Sequence, residues 1–129
     1  MEIPLRAALL GWLKADPALA AMLNAIVEEA PSRTSLPWLA IAASASSDWS
    51  TKSHPGREVR LALELHCRGD DPATASALVA GIEHRIDDFP RAQTGFTVAT
   101  IQFLRGRAEQ RPGNVRAMLM EYRFRLLAD

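Results

Sequence analysis

The sequence has little of what chemistry or cross-linking needs. It holds one cysteine, one tyrosine and three histidines among 129 residues, and its fifteen basic and fifteen acidic side chains cancel to zero net charge. The lone Cys67 excludes an intramolecular disulfide. His54, His66 and His84 show no Cys/His spacing suited to a metal. There is no glycine-rich phosphate loop and no Gly-x-Ser-x-Gly elbow, and Ser44, Ser46, Ser47 and Ser50 read as loop filler. The adjacent pairs Glu28/Glu29 and Asp87/Asp88 point in different directions on a strand or helix, so neither is an acid/base couple. No stretch approaches the roughly twenty apolar residues of a membrane span, and no basic region followed by an unbroken apolar run opens the chain. The expectation is a soluble, cytoplasmic protein, with no enzyme activity, no cofactor and no membrane partner.

Zero net charge argues against a protein that coats nucleic acid. The charge is nevertheless uneven. From Arg105 to Arg125 six arginines face Glu109 and Glu121, whereas the first thirty residues carry Arg6 and Lys14 against Glu2, Asp16, Glu28 and Glu29.

What is present is a strand signal. Val59, Leu61, Leu63, Leu65 and Cys67 alternate with Glu58, Arg60, Glu64, His66 and Arg68, the period of two of a half-buried strand. Cys67 falls on the apolar side, which makes it a buried, inert thiol. Apolar spacing through Leu5, Leu9, Trp12 and Leu13 predicts a helix over Ile3 to Ala15, and Asp16-Pro17 restarts a short second helix to about Leu23. Asn24 to Glu29 is ambiguous, with Ile26 and Val27 able to make a short strand, and Pro31 to Ser35 is a turn by composition.

Leu36 to Ala43 is nearly continuous in apolar residues, as suits a central strand covered on both faces. Ser44 to Gly56 is predicted as a polar loop of about a dozen residues, long enough to suggest a function. Asp71-Pro72 opens an amphipathic helix through Leu78, Ile82 and Ile86 that ends at Phe89-Pro90. Thr97 to Leu104 and Met118 to Leu126 read as a long antiparallel hairpin whose tip carries Arg105, Arg107, Arg111 and Arg116 around the turn Arg111-Pro112-Gly113-Asn114. The sum is one α+β domain over 1–129, a mainly antiparallel sheet of four or five strands with helices on one face. On the other face Arg60, Glu64, Glu121, Arg123 and Arg125 stand with both signs interleaved, as on a surface that is solvated or meets a copy of itself.

The run Asp48-Trp49-Ser50-Thr51-Lys52, then Gly56-Arg57-Glu58 leading into Leu61, Leu63 and Leu65, resembles the tail-completion (tail terminator) proteins of long-tailed phages and gene transfer agents. The opening Leu5 to Leu10, Ala15 to Leu19, the Pro37 strand and the closing Tyr122-Arg123-Phe124-Arg125 are similar to that family too. The resemblance implies a structural protein that forms a six-fold ring with itself, caps the tail tube protein and presents a surface to the head connector, with DNA passing through the lumen and no sequence-specific binding. It implies interface roles for Asp48, Trp49, Ser50, Thr51, Lys52, Arg57, Arg60, Arg123 and Arg125. Trp49 is then either an anchor at a subunit contact or a ring folded back on its own domain. Asp48, Ser50 and Thr51 read more readily as a turn cluster fixed by side-chain to backbone hydrogen bonds than as catalytic groups, and Lys52 pairs with a neighbour's carboxylate or is solvated. Arg105, Arg107, Arg111 and Arg116 meet DNA phosphates, meet an acidic partner, or keep the hairpin soluble. The alternatives are a monomeric or dimeric α+β ligand-binding or enzymatic domain, and a DNA-binding adaptor.

Overall fold

A computed structural model describes residues 1–29 and 34–129. Pro31, Ser32 and Arg33, most of the expected turn, lie outside the described residues. The elements in order are α1 (Glu2–Lys14), α2 (Pro17–Met22), β1 (Ala25–Val27), β2 (Trp38–Asp48), β3 (Gly56–Arg68), α3 (Pro72–Asp87), β4 (Phe96–Arg111) and β5 (Val115–Ala128).

The helices begin where their caps stand. Asp16 accepts from Ala18 N at 2.9 Å ahead of Pro17, and Asp71 accepts from Thr74 N at 3.1 Å and from its hydroxyl at 2.7 Å ahead of Pro72. Each cap satisfies a first-turn amide that has no partner inside the helix, and the bond to Thr74 holds the Asp71 carboxyl below its usual range. One stripe of α1, Leu5, Leu9 and Leu13, and one of α3, Ala75, Leu78, Ile82 and Ile86, are buried. Trp12 and Arg85 clamp the two helices together. The indole donates to Arg85 O at 2.6 Å, Arg85 Nε donates to Trp12 O at 2.9 Å, and the guanidinium carbon sits 3.4 Å from the indole centroid.

The sheet order is β1-β2-β3-β5-β4, with β1 parallel to β2 and every other pair antiparallel. The sheet is mostly antiparallel, as expected, and it is open. Its core face is built where the alternation puts it: Val59, Leu61, Leu63, Leu65 and Cys67 of β3 beside Met120, Tyr122, Phe124 and Leu126 of β5, all at most 1 % exposed. Burial pushes the Cys67 thiol and the Tyr122 phenol up from their ordinary pKa values, so both stay neutral.

Two expectations need correction. The loop predicted from Ser44 to Gly56 is shorter, because β2 runs on to Asp48 and Ser44, Ala45, Ser46, Ser47 and Asp48 pair with Leu61, Arg60, Val59, Glu58 and Arg57. On the helix side the Glu2 carboxylate accepts from the Ser44 hydroxyl, and Arg6 donates to that hydroxyl at 2.7 Å, so polar strand residues are satisfied by α1. Those bonds, from Ser44 and then Ser46, lower the Glu2 pKa. The hairpin arms are also longer than Thr97–Leu104 and Met118–Leu126 suggested. Arg105 and Arg107 lie inside β4 rather than at its tip, which is the turn Pro112-Gly113-Asn114 with positive φ at Gly113 and Asn114.

Leu63 lies under the helices at the middle of the central strand. Leu63→Ala is expected to lower unfolding free energy by about 2–5 kcal/mol through the cavity it leaves. Urea denaturation checks this as a lower midpoint at unchanged slope.

Candidate assembly surface

Between Asp48 and Gly56 the chain makes a tight turn held by its own side chains. Trp49 N donates to Gly56 O at 3.0 Å, Ser50 Oγ donates to Asp48 Oδ1 at 2.7 Å and accepts from Gly56 N at 3.0 Å, and Thr51 Oγ1 accepts from His54 N at 3.0 Å. Asp48, Ser50 and Thr51 thus act as a turn cluster. Gly56 is required by the close approach. A Cβ there would collide with the Trp49 carbonyl and lie 2.8 Å from Leu126 O. Trp49 folds back half-buried, and the Arg125 guanidinium carbon is 5.5 Å from its ring centroid. Lys52 and Arg57 are exposed, and neither has an ion-pair partner among the described residues.

The face away from the helices is laid out in cross-strand rows. From β2 through β3 and β5 to β4 they read Ser47, Glu58, Arg125, Thr100; then Ala45, Arg60, Arg123, Gln102; then Ala43, Ala62, Glu121, Arg105; then Ala40, Glu64, Leu119, Arg107. Opposite charges meet within and between rows. Glu58 Oε1 lies 3.1 Å from Arg125 Nε and 3.4 Å from Arg123 Nε, and Arg123 also donates to Gln102 Oε1. Arg105 forks onto Glu121 at 3.0 and 3.1 Å, which raises the Arg105 pKa. Arg111 reaches Glu109 at 2.9 Å and Glu64 at 3.4 Å, and Arg107 reaches Glu109 at 3.0 Å. Arg60 is exposed and has no ion-pair partner among the described residues.

The structure therefore brings Arg60, Glu64, Glu121, Arg123 and Arg125 onto one surface, as the alternation implies. It also adds Arg105, Arg107 and Arg111 to that surface. Arg116 does not join them. It sits opposite Cys67, donates to Gly69 O at 3.2 Å and lines a groove of about 650 Å³ between α3 and the hairpin, with Val79 and Met118. Glu58, which the alternation already set on this face, and Glu109, which sequence reasoning did not place there, hold two arginines each. Glu109 gave no such signal, because it lies beyond the strand expected to end at Leu104. At one end of this face His66 is only 9 % exposed, stacked on Trp38 at 3.9 Å between centroids. Its Nε2 is 3.8 Å from Glu64 and has no hydrogen-bond partner among the described residues.

No group of three or more His, Cys, Asp or Glu among the described residues is arranged to hold a metal, and no helix is long and apolar enough to cross a membrane. The fold and surface define a class: a small α+β protein with an open five-stranded sheet, helices on one face and paired charges on the other. The family model described as tail completion protein gp17 matches residues 7–127, and the chain belongs to that family. No curated protein matches it. Among solved structures it is similar to a chain of the virion of a native gene transfer agent (GTA) particle, at a TM-score of 0.77 and 22% identity, covering 97% of this chain and 96% of that one. At that identity the likeness is one of fold.

Burial is the main cause that lowers the His66 pKa, and the Arg111 charge adds to it, while Glu64 opposes both. The folded value lies below the unfolded one, so below about pH 6.5 the unfolded chain takes the proton first and stability falls as pH falls. His66→Gln is expected to flatten that part of the profile. Melting temperatures at about pH 7.5 and about pH 5.5, wild type against variant, check it.

Proposed function

We propose that this chain is a structural tail terminator of a phage, prophage or gene transfer agent. Six copies form a ring that caps the tail tube and joins it to the head connector, and DNA passes through the lumen without sequence-specific contact. The protein works without catalysis, as a single domain, in the cytoplasm during assembly and then within the particle. Membership of the tail completion family supports the class of role. The observation that carries the ring is the asymmetry of the sheet's two sides. The β2 side bears Glu29 and Asp48, with no ion-pair partner among the described residues, and Glu28 paired to Arg6 at 2.9 Å, whereas the β4 side bears Arg105, Arg107 and Arg111, which share Glu121, Glu109 and Glu64. Contacts between unlike surfaces, repeated by rotation, close into a ring, whereas like-to-like contacts stop at a dimer.

Trp49 and the turn that carries it lie at the end of β2, on the acidic side. The indole gains about 0.5–1 kcal/mol from Arg125 within its own chain, which leaves its exposed part free to be buried by a neighbour.

The first test is mass in solution by light scattering over a wide concentration range. The expected species is near six subunits, about 85 kDa from a 14.1 kDa chain. A strict monomer at every concentration counts against self-driven ring formation. Trp49→Ala is expected to shift the melting temperature little and to raise the concentration needed for assembly about tenfold or more, the equivalent of about 1.4 kcal/mol. Unchanged assembly removes Trp49 from the contact.

A further inference from the structure

We propose that the ring is closed by the sheet itself: the free margin of β2 in one copy pairs, antiparallel, with the free margin of β4 in the next. This rests on the ring reading above and names the surfaces that make it.

The first observation is unpaired backbone. β1 covers β2 only over Trp38, Leu39 and Ala40. Beyond them Arg6 Nη2 reaches Ile41 O at 3.4 Å, and from Ala42 to Asp48 no strand among the described residues lies on that side. β4 is open along its outer side except for one bridge, Ala92 to Thr97. A sheet margin of this kind presents a row of N–H and C=O groups that template another strand, and proteins that do not use one blunt it with lysine, proline or a covering element. Ala42 to Ser47 carries none of those residues.

The second observation is strand direction. β2 runs opposite to β3, β3 opposite to β5, and β5 opposite to β4. Laying the next copy beside the first, with all helices kept on one side, therefore sets β2 against an oppositely running β4. The pairing needs no inversion of either molecule.

The third observation is what the side chains then meet. On the helix-bearing side α1 is tied to β2 through Glu2, Arg6 and Ser44, and it presents Ile3 at 78 % exposure. At the other margin Phe103, edge-to-face with Tyr122 of the core face at 5.5 Å between centroids, is 46 % exposed. Extending the sheet brings these two large apolar side chains to the same seam.

The test uses two single variants, Ser47→Cys and Thr100→Cys, at exposed positions of the two margins on the charged face. Cys67 is 1 % exposed and serves as the unreactive background, checked with the parent protein. One variant is isotope-labelled, the two are mixed at a concentration where the mass has been measured, and a flexible bis-maleimide is added. The expected product is a cross-linked pair containing one labelled and one unlabelled chain in the mixture, with no pair from either variant alone. In parallel Ala45→Lys, at another exposed margin position, is expected to leave the melting temperature unchanged and to raise the assembly concentration about tenfold or more. A ring-sized mass with no mixed cross-link, or with cross-links only within a single variant, overturns the edge pairing and leaves the ring standing. A monomeric mass throughout, with no cross-link, overturns both.

Discussion

The register of β3 is the constraint on which the rest of the molecule depends. All thirteen of its residues pair with β5 and ten, Arg57 to His66, pair with β2, and they alternate between the helix layer and the charged face. A one-residue slip would carry Arg60 and Glu64 beneath α1 and α3 and expose Leu61, Leu63 and Leu65. Burying an unpaired charge costs several kcal/mol, so the alternative registers lie far above the native one. With β3 fixed, Phe124 is set opposite Val59 and Tyr122 opposite Leu61, and the core of the sheet is complete before the outer strands are considered. The helices then have one place to go. Their apolar stripes cover that face, and the Trp12–Arg85 clamp sets how α1 and α3 lie against one another.

What was legible in the sequence was whatever alternation or capping wrote into it. β3, α1, α3 and the existence of the final hairpin follow from apolar spacing and from Asp-Pro starts. The far half of β2 was hidden because its evidence is in the backbone. Ser44 and Ser46 occupy core-side positions where an apolar residue would have signalled a strand, and they do so because Glu2 and Arg6 supply polar partners there. The length of β4 was hidden for a different reason. Register shifts between Val98 and Thr100 and between Phe103 and Arg105 break the period of two, so a pattern that restarts twice reads as one that stops. The site was half legible. The charged face follows from parity alone, but which acid holds which arginine needs the cross-strand register, and the turning of Arg116 toward α3 needs the helix in place.

The chemistry of that face explains why so many arginines coexist with zero net charge. The chain uses thirteen arginines and two lysines, and the planar fork of arginine suits carboxylates held rigidly on neighbouring strands, as Arg105 on Glu121 shows. Glu58, Glu109 and Glu121 together engage Arg105, Arg107, Arg111, Arg123 and Arg125. A phosphate approaching this surface would have to compete with carboxylates already in place, and among the described residues of this face only Arg60 is offered without one. Such a face is strongly polar yet weakly charged. Exposed pairs of this sort add little stability. Their effect is on what the surface attracts.

A chain that built the proposed ring through its sheet margins would have to keep them open for the right neighbour without pairing at random. A wholly saturated sheet has no way to build a ring, and a wholly bare one pairs with any strand it meets. Here the opening on β2 is bounded. β1 and Arg6 close it up to Ile41, and the Asp48–Gly56 turn ends it. The opening on β4 is long, and its Arg105, Arg107 and Arg111 are each already held by a carboxylate. The two margins therefore differ in length, in what bounds them and in the side chains they carry. That difference, more than the size of either surface, is what would select a closed ring over a dimer or an aggregate.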